Sequence, residues 1–447
     1  NCLAWLELHP ETVAMPAPAA ACSLLLLLLL VAPVAAGDCV IHGVRWSAWA
    51  NRGHLTEGLI IPAQTFSAFT FDLSVGLQTL SVIMDISSEL VWVQCGPGLR
   101  RKPTFLPGLR PSFAPIAPCP SSVRNNSDSF GQIHYADRTC HPGETGCAAR
   151  CRYVEHIYGA GNTSGYLATE TFGLGNRVFT GVVFGCSGNV TLRDGLAGVS
   201  GFVGFSRGPL SLVSQRQISR FSYFFVLPDD PDNGKAFVSL SWAVADHPKA
   251  KGSHTPLLVA RPNQDPHLYY VNLIGLQVDG QLLTDIPAGT FDVRANGSGG
   301  VFLSTTLPFT YLEEAAYKVL RRELMSRIRS QGLAPVNATA GHSLCFLTQH
   351  FSKLKVPKLA LVFDGAHATM ELKAQNYFLP VPDGQTTCLS ILPSTSGGSV
   401  LGSLLQTGRT MTYDIHGAGG GRLTFAGAPA PAKVSLATLL LVWVLLF

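Results

Sequence analysis

The segment VIMDISSELVWVQC (82–95) places one carboxylate, Asp85, at the end of an apolar strand-like run. Ile86, Ser87 and Ser88 follow, so the acid enters a turn that has no glycine. An acid delivered from an apolar strand needs a chemical or structural reason, because burying a charge is costly unless it is paired. The second half of the chain echoes this arrangement. GGVFLSTTLPFTYL (299–312) carries an apolar strand into Ser304, Thr305 and Thr306. Each half later supplies two apolar residues and a glycine, Phe202-Val203-Gly204 in the first and Val400-Leu401-Gly402 in the second. An internal repeat of this kind predicts two related units, each presenting one turn. Here the second turn presents the hydroxyl of Ser304, and residues 293–312 contain no aspartate.

Other chemistry-bearing patterns are weaker. GFSRG (204–208) fits G-x-S-x-G, but GPLSLVSQ after it reads as a loop and short helix rather than the strand–turn–helix of a nucleophile elbow. CHPGETGCAARC (140–151), with His134, His141 and His156 nearby, has irregular spacing for zinc, and secreted thiols oxidise, so no metal site is expected. His134 and His156 read as surface or packing residues. No cofactor is implied.

The elements that would position these turns are mainly β. FTFDLSV (69–75) puts Phe69, Phe71, Leu73 and Val75 on one face. VFTGVVFGC (178–186), AFVSLSW (236–242), YYVNLIGLQVDG (269–280) and LALVFDG (359–365) read similarly, among 45 Gly and 29 Pro that mark tight turns. The clearest helix is 313–332, with Tyr317, Leu320, Leu324 and Ile328 at helical spacing and Gly332 as its stop. LPDDPDNGK (227–235) reads as a polar linker.

Composition narrows the class. The 447 residues are 47% hydrophobic and 13% charged, with a net charge of +4. Basic residues are scattered apart from LRRK (99–102), which excludes a nucleic-acid face. CSLLLLLLLVAPVAAG (22–37) reads as a signal-peptide core with cleavage after Ala36 and a start at Met15, so residues 1–36 are an upstream extension and leader. The chain is therefore expected to be secreted, to the extracellular space or cell wall. The terminal VSLATLLLVWVLLF (434–447) would reach only about 21 Å as a helix, short of the roughly 30 Å hydrocarbon core. It reads as a glycolipid-anchor signal, a short membrane tail or an apolar terminus. Eleven cysteines fall to nine once Cys2 and Cys22 leave with the leader. Disulfides are expected, and the odd count leaves one thiol unpaired or available for a disulfide-linked dimer. Sequons at Asn125, Asn162, Asn189, Asn296 and Asn337 suit a secreted glycoprotein surface.

From about Leu59 to Gly427 the motifs resemble the pepsin-family aspartic proteases, in the plant branch similar to nepenthesins and nucellins. MDISSELVWVQC resembles the first active-site segment, YGAGNTSGYLATETFGLG (158–175) the flap hairpin, and VVFGC (182–186) and FSRGPLSLVSQ (205–215) plant-branch motifs. HTPLL (254–258), YYVNLIGLQVDG and VLGSLLQTGRTMTYDIHGAGGGRLTFA (400–426) resemble the second lobe. The resemblance implies a bilobal β fold with a cleft. Residues 37–58 form a short N-terminal segment, 59–227 the first lobe, 228–268 the linker and inter-lobe strands, 269–427 the second lobe and 428–447 the tail. It also implies Asp85 as the first catalytic acid, Tyr158 as the substrate-facing flap tyrosine, and a Cys345–Cys388 disulfide. Pairing among the first-lobe cysteines stays open.

Against that family pattern the chain departs at several positions. Ser304 stands where the second catalytic Asp belongs. Ile86 replaces a hydroxyl that braces the opposite loop, Ser87 and Thr306 replace glycines, Ala160 a flap Asp, and Phe224 a cysteine. Two functions follow as expectations. One is an aspartic endopeptidase acting on extracellular peptides or proteins, with ordinary two-acid catalysis in doubt. The other is a pseudoprotease whose cleft binds a peptide or protein, or which inhibits a hydrolase.

Overall fold

A computed structural model describes residues 39–42, 45–49, 66–95 except 77, 114–115, 152–192, 199–226, 236–242, 252–336, 344–415 except 366, 382–383 and 396, and 420–427. The leader, the 227–235 linker, the 140–151 cysteine cluster, Asn125, Asn337 and the apolar tail lie outside the described residues. Over the described residues the chain is mainly β and bilobal.

Alternation builds the first lobe. Phe69, Phe71, Leu73 and Val75 are all buried along the strand Phe66–Val75, as their spacing predicts. This strand pairs antiparallel with Gln78–Asp85 in a 9-stranded sheet. An 11-stranded sheet runs through Phe237–Ser241, Arg220–Phe224, Thr410–Asp414, Arg422–Ala426 and Ser253–Leu258 into the second lobe. Strands from both halves of the sequence therefore hydrogen-bond to one another. Phe224 is fully buried there and stacks on Phe237, so the position carries packing rather than a thiol. The helix Glu314–Arg329 buries Tyr317, Leu320, Leu324 and Ile328, the stripe read from the sequence, and Ala316 besides.

The sequence echo is a topological repeat. In the first lobe Gln78–Asp85 runs parallel to Gly201–Gly204, with Gly204 opposite Asp85, and Gly201–Gly204 also runs antiparallel to Trp92–Gln94. In the second, Val301–Leu303 runs parallel to Ser399–Leu401, which meets Thr310–Leu312 antiparallel. Each unit thus threads a strand between the two arms of its own turn. The glycine that ends each motif has a steric reason. A Cβ on Gly204 would lie 2.5 Å from Ser88 O, and one on Gly402 would lie 2.2 Å from Phe309 O. Only glycine lets the threaded strand pass this close to the turn.

Candidate active site

The two turns meet at the lobe interface. Thr305 joins them: its Oγ1 donates to Met84 O at 2.7 Å and accepts from Ile86 N at 3.2 Å. Ile86 has no hydroxyl to return the contact, so the brace runs from one side only. Both partners are fully buried, and Thr305 satisfies two backbone groups that would otherwise have none. Sequence reasoning did not single out Thr305, since one threonine in a polar turn carries no pattern.

Asp85 is 0% exposed. Its Oδ1 accepts Ser87 N at 2.8 Å, Ser87 Oγ at 2.5 Å and, more distantly, Thr306 Oγ1 at 3.5 Å. Its Oδ2 is buried without a partner. Burial raises its pKa, opposed by hydrogen bonds from Ser87 and Ser88. Across the interface Ser304 is also 0% exposed. Ser304 Oγ lies 3.0 Å from Thr306 Oγ1 and accepts Leu307 N at 3.3 Å, while Gln406 Nε2 donates to Ser304 O at 2.9 Å. Hydroxyls therefore connect Asp85 to the facing turn, through Ser87 and Thr306 to Ser304. The side chains of Ser87 and Thr306 fill the space beside the acid. A serine hydroxyl can donate and accept, but it cannot hold half of a shared proton near neutral or acid pH.

The hairpin formed by Arg152–Ile157 and Gly161–Leu174 places Tyr158, Gly159 and Ala160 at its turn, as read from the sequence. Tyr158 is 38% exposed and meets Phe302 of the second lobe edge-on, with ring centroids 5.2 Å apart. Gly159 has φ +70°, and a Cβ there would sit 2.2 Å from Leu307 Cδ2. The hairpin tip therefore rests on the second lobe. Trp92 stacks on Phe202, and its Nε1 is buried without a hydrogen-bond partner.

A second group of acids lies beside Asp85, and the sequence reading missed it. Glu89 and Glu155 are 5% and 2% exposed. Glu155 Oε1 accepts Leu90 N at 3.4 Å. Ser88 lies beside both Asp85 and Glu155 and partly offsets the rise in pKa of each. Burial raises Glu155 well above the usual carboxylate range, and the charges of Glu89 and Asp85 add to this. Burial, with a smaller contribution from Asp265, pushes Glu89 up to about 7. His267, from the second half of the chain, approaches Glu89 Oε2 with Nε2 at 3.3 Å and Asp265 Oδ1 with Nδ1 at 3.5 Å. Burial lowers its pKa. Alternation could have found Glu155, because Tyr153, Glu155 and Ile157 share the buried face of their strand.

The remaining sites divide plainly. Cys345 and Cys388 are bonded and stand opposite each other in register, as the resemblance implied. Cys95 bonds Cys186, a pairing the sequence left open. Asn162, Asn189 and Asn296 are exposed, and Asn162 Oδ1 contacts His156 Nδ1 at 2.6 Å. Ser206 of GFSRG is fully buried and its Oγ accepts Gly208 N at 3.1 Å, so it shapes its own loop. Arg207 beside it stacks over Tyr269. Among the described residues no group of three or more His, Cys, Asp or Glu converges to hold a metal ion.

Known proteins resemble this chain over most of its length. Family models described as "Xylanase inhibitor N-terminal" and "Xylanase inhibitor C-terminal" match residues 69–240 and 268–426. The chain is 31% identical over 404 residues to aspartic proteinase nepenthesin-1 of Nepenthes gracilis, covering 88% of this chain and 81% of that protein. It is 30% identical over 346 residues to nepenthesin-2 of the same plant (76% and 72% covered). It is 27% identical over 417 residues to aspartyl protease 37 of Oryza sativa subsp. japonica (86% and 85%). The crystal structure of edgp superposes with a TM-score of 0.65 at 16% identity, covering 88% of this chain and 95% of that one. Basic 7S globulin from soybean gives 0.58 at 16% identity, with 88% and 96% covered. These likenesses span both lobes, the acid-bearing turn and the hairpin, and the chain belongs to the plant aspartic protease family of nepenthesin-like proteins.

Proposed function

We propose that this chain is a non-cleaving member of the family, which holds an extended peptide or a protein segment in its cleft and leaves it intact. The observation that carries this reading is the content of the two turns. Asp85 faces a hydroxyl at position 304 and is enclosed by Ser87 and Thr306. General acid–base groups contribute about 10²–10⁴-fold each, and members of one dyad act as a unit, so losing the second acid removes most of the rate. The scaffold around the turns persists: Thr305 still joins them, and the hairpin still covers them. Strand edges in such a cleft can pair with an extended segment.

The matching family models carry the name of xylanase inhibitors, which supports a related reading in which the bound partner is an extracellular hydrolase. Secretion to the extracellular space or wall, retention through the apolar tail, and dimerisation through an unpaired thiol belong to the same proposal. Among the described residues no helix is long and apolar enough to cross a membrane.

The test is to incubate the full chain, produced in a plant secretory system, with a peptide library and recover what binds. Mass spectrometry of the bound and free pools should show retained, intact peptides. Cleavage products that vanish in Asp85→Ala would reject the proposal.

A further inference from the structure

Beneath the hairpin, between its inner face and the acid-bearing turn, lies a cavity of about 400 Å³. Its wall includes Glu89, Glu155, Tyr158, Asn162, Asp265 and His267, and the described residues that line it include no Lys or Arg. Two of its acids are more than nine-tenths buried, and each has an oxygen with no hydrogen bond, Glu89 Oε2 and Glu155 Oε2. Glu89 Oε2 lies 3.3 Å from His267 Nε2 without the alignment of a hydrogen bond. Asp265 is the more open of the three, with its side chain 21% exposed. Buried polar atoms are ordinarily satisfied, so two orphaned carboxyl oxygens on residues that line one cavity ask for a donor.

A divalent metal does not answer that need, since no three described ligands converge and hard cations take six or more oxygens. A guanidinium or an ammonium does. It brings several N–H donors and the counter-charge in one group, and a guanidinium matches carboxylate geometry with a planar fork. We infer that this cavity receives the cationic side chain, arginine or lysine, of an extended peptide lying under the hairpin. The assignment rests on the peptide-binding reading above and sharpens it to a basic-residue preference.

Binding must ionise an acid that burial keeps protonated. The groups facing the cation are Glu89 from the turn, Glu155, His156 and Tyr158 from the hairpin, and Asp265 and His267 from the segment entering the second lobe, with Asp85 buried behind Glu155. With Glu89 held near 7, a cation competes with a proton, and binding tightens as pH rises through that value.

The experiment titrates the full chain with N-acetyl-arginine methylamide and with its citrulline counterpart, which keeps the shape and lacks the charge. The arginine compound should saturate, and the citrulline compound should bind at least about tenfold more weakly, as charge-assisted bonds require. Glu155→Gln and Glu89→Gln, each checked for a cooperative thermal transition, should each weaken arginine binding by about tenfold. Affinity at pH 5 should fall at least about tenfold below that at pH 8. Equal binding of the two compounds, or unchanged affinity in both folded variants, overturns the assignment. Library peptides bound without basic enrichment overturn it while leaving peptide binding intact. Arginine binding with no peptide retained supports the cavity and rejects the peptide reading.

Discussion

Converting Ser304 to aspartate should not by itself restore a working dyad, and the structure says why. Ser304 is fully buried, and its Oγ already lies 3.0 Å from Thr306 Oγ1 and 3.3 Å from Leu307 N. Thr306 Oγ1 in turn sits 3.5 Å from both Asp85 Oδ1 and Ser87 Oγ. A carboxylate is larger than a hydroxymethyl group, so Ser304→Asp pushes into this chain of contacts. Overpacking of this kind costs about 1–3 kcal/mol. The new acid also lies close to a buried one, so one of the two must stay protonated. The single variant is expected to lose about 1–3 kcal/mol in denaturant unfolding and to cleave nothing. Adding Ser87→Gly and Thr306→Gly removes the side chains that enclose Asp85 and opens room for a water. The Ser87 backbone N–H that bonds Asp85 remains available after that change. The triple variant should then cleave a fluorogenic peptide library at acid pH at least about 10²-fold faster than the parent chain, the low end of what a general acid–base group contributes. Asp85→Ala in the triple background should return it to baseline. A triple variant no faster than Ser304→Asp would refute the argument that Ser87 and Thr306 close the site.

Thr305→Val should cost about 2–4 kcal/mol, because it leaves Met84 O and Ile86 N buried without partners. A loss below about 0.5 kcal/mol in urea unfolding would show that the brace is dispensable. Removing the Cys345–Cys388 bond, which closes a 43-residue separation, should cost about 4 kcal/mol by loop entropy, read as a lower melting temperature of the double Ser variant. Stability should also fall as pH rises from about 4 to 8. The folded-state pKa values of Asp85, Glu89 and Glu155 are raised, so these acids favour folding most below their unfolded values and lose that contribution as pH climbs through the folded ones. Glu89 alone, moved from 4.5 to about 7, accounts for about 3 kcal/mol. Melting temperatures flat over this range, or an unchanged slope in Glu89→Gln, would contradict this.

The repeated motif was legible because threaded strands leave a local signature: an apolar run, a polar turn, and later two apolar residues with a glycine. The steric demand at Gly204 and Gly402 explains why that signature ends in a glycine in both halves. The turns that hold Asp85 and Ser304 were legible for the same reason. What Ser87 and Thr306 do was not. As replaced glycines they read only as losses, whereas in space they bond the acid and fill its surroundings. The one-sided brace by Thr305 depends on two turns meeting across the lobe interface, which no local pattern records. Glu89 and His267 meet where Arg207 N bonds His267 O and holds that segment against the first lobe, a contact between distant parts of the chain. The Cys95–Cys186 bond had a physical reason that composition cannot supply: Val93 and Cys186 are partners in a parallel ladder, which sets Cys95 close by.

The central claim is that the chain binds in its cleft without peptide-bond cleavage. Its most direct test is a sensitive peptidase assay of the unmodified chain from pH 3 to 7, with the Asp85→Ala variant alongside. No cleavage above that variant is expected at any pH. Turnover in the parent chain that disappears in Asp85→Ala would show that one buried acid suffices, and would contradict it.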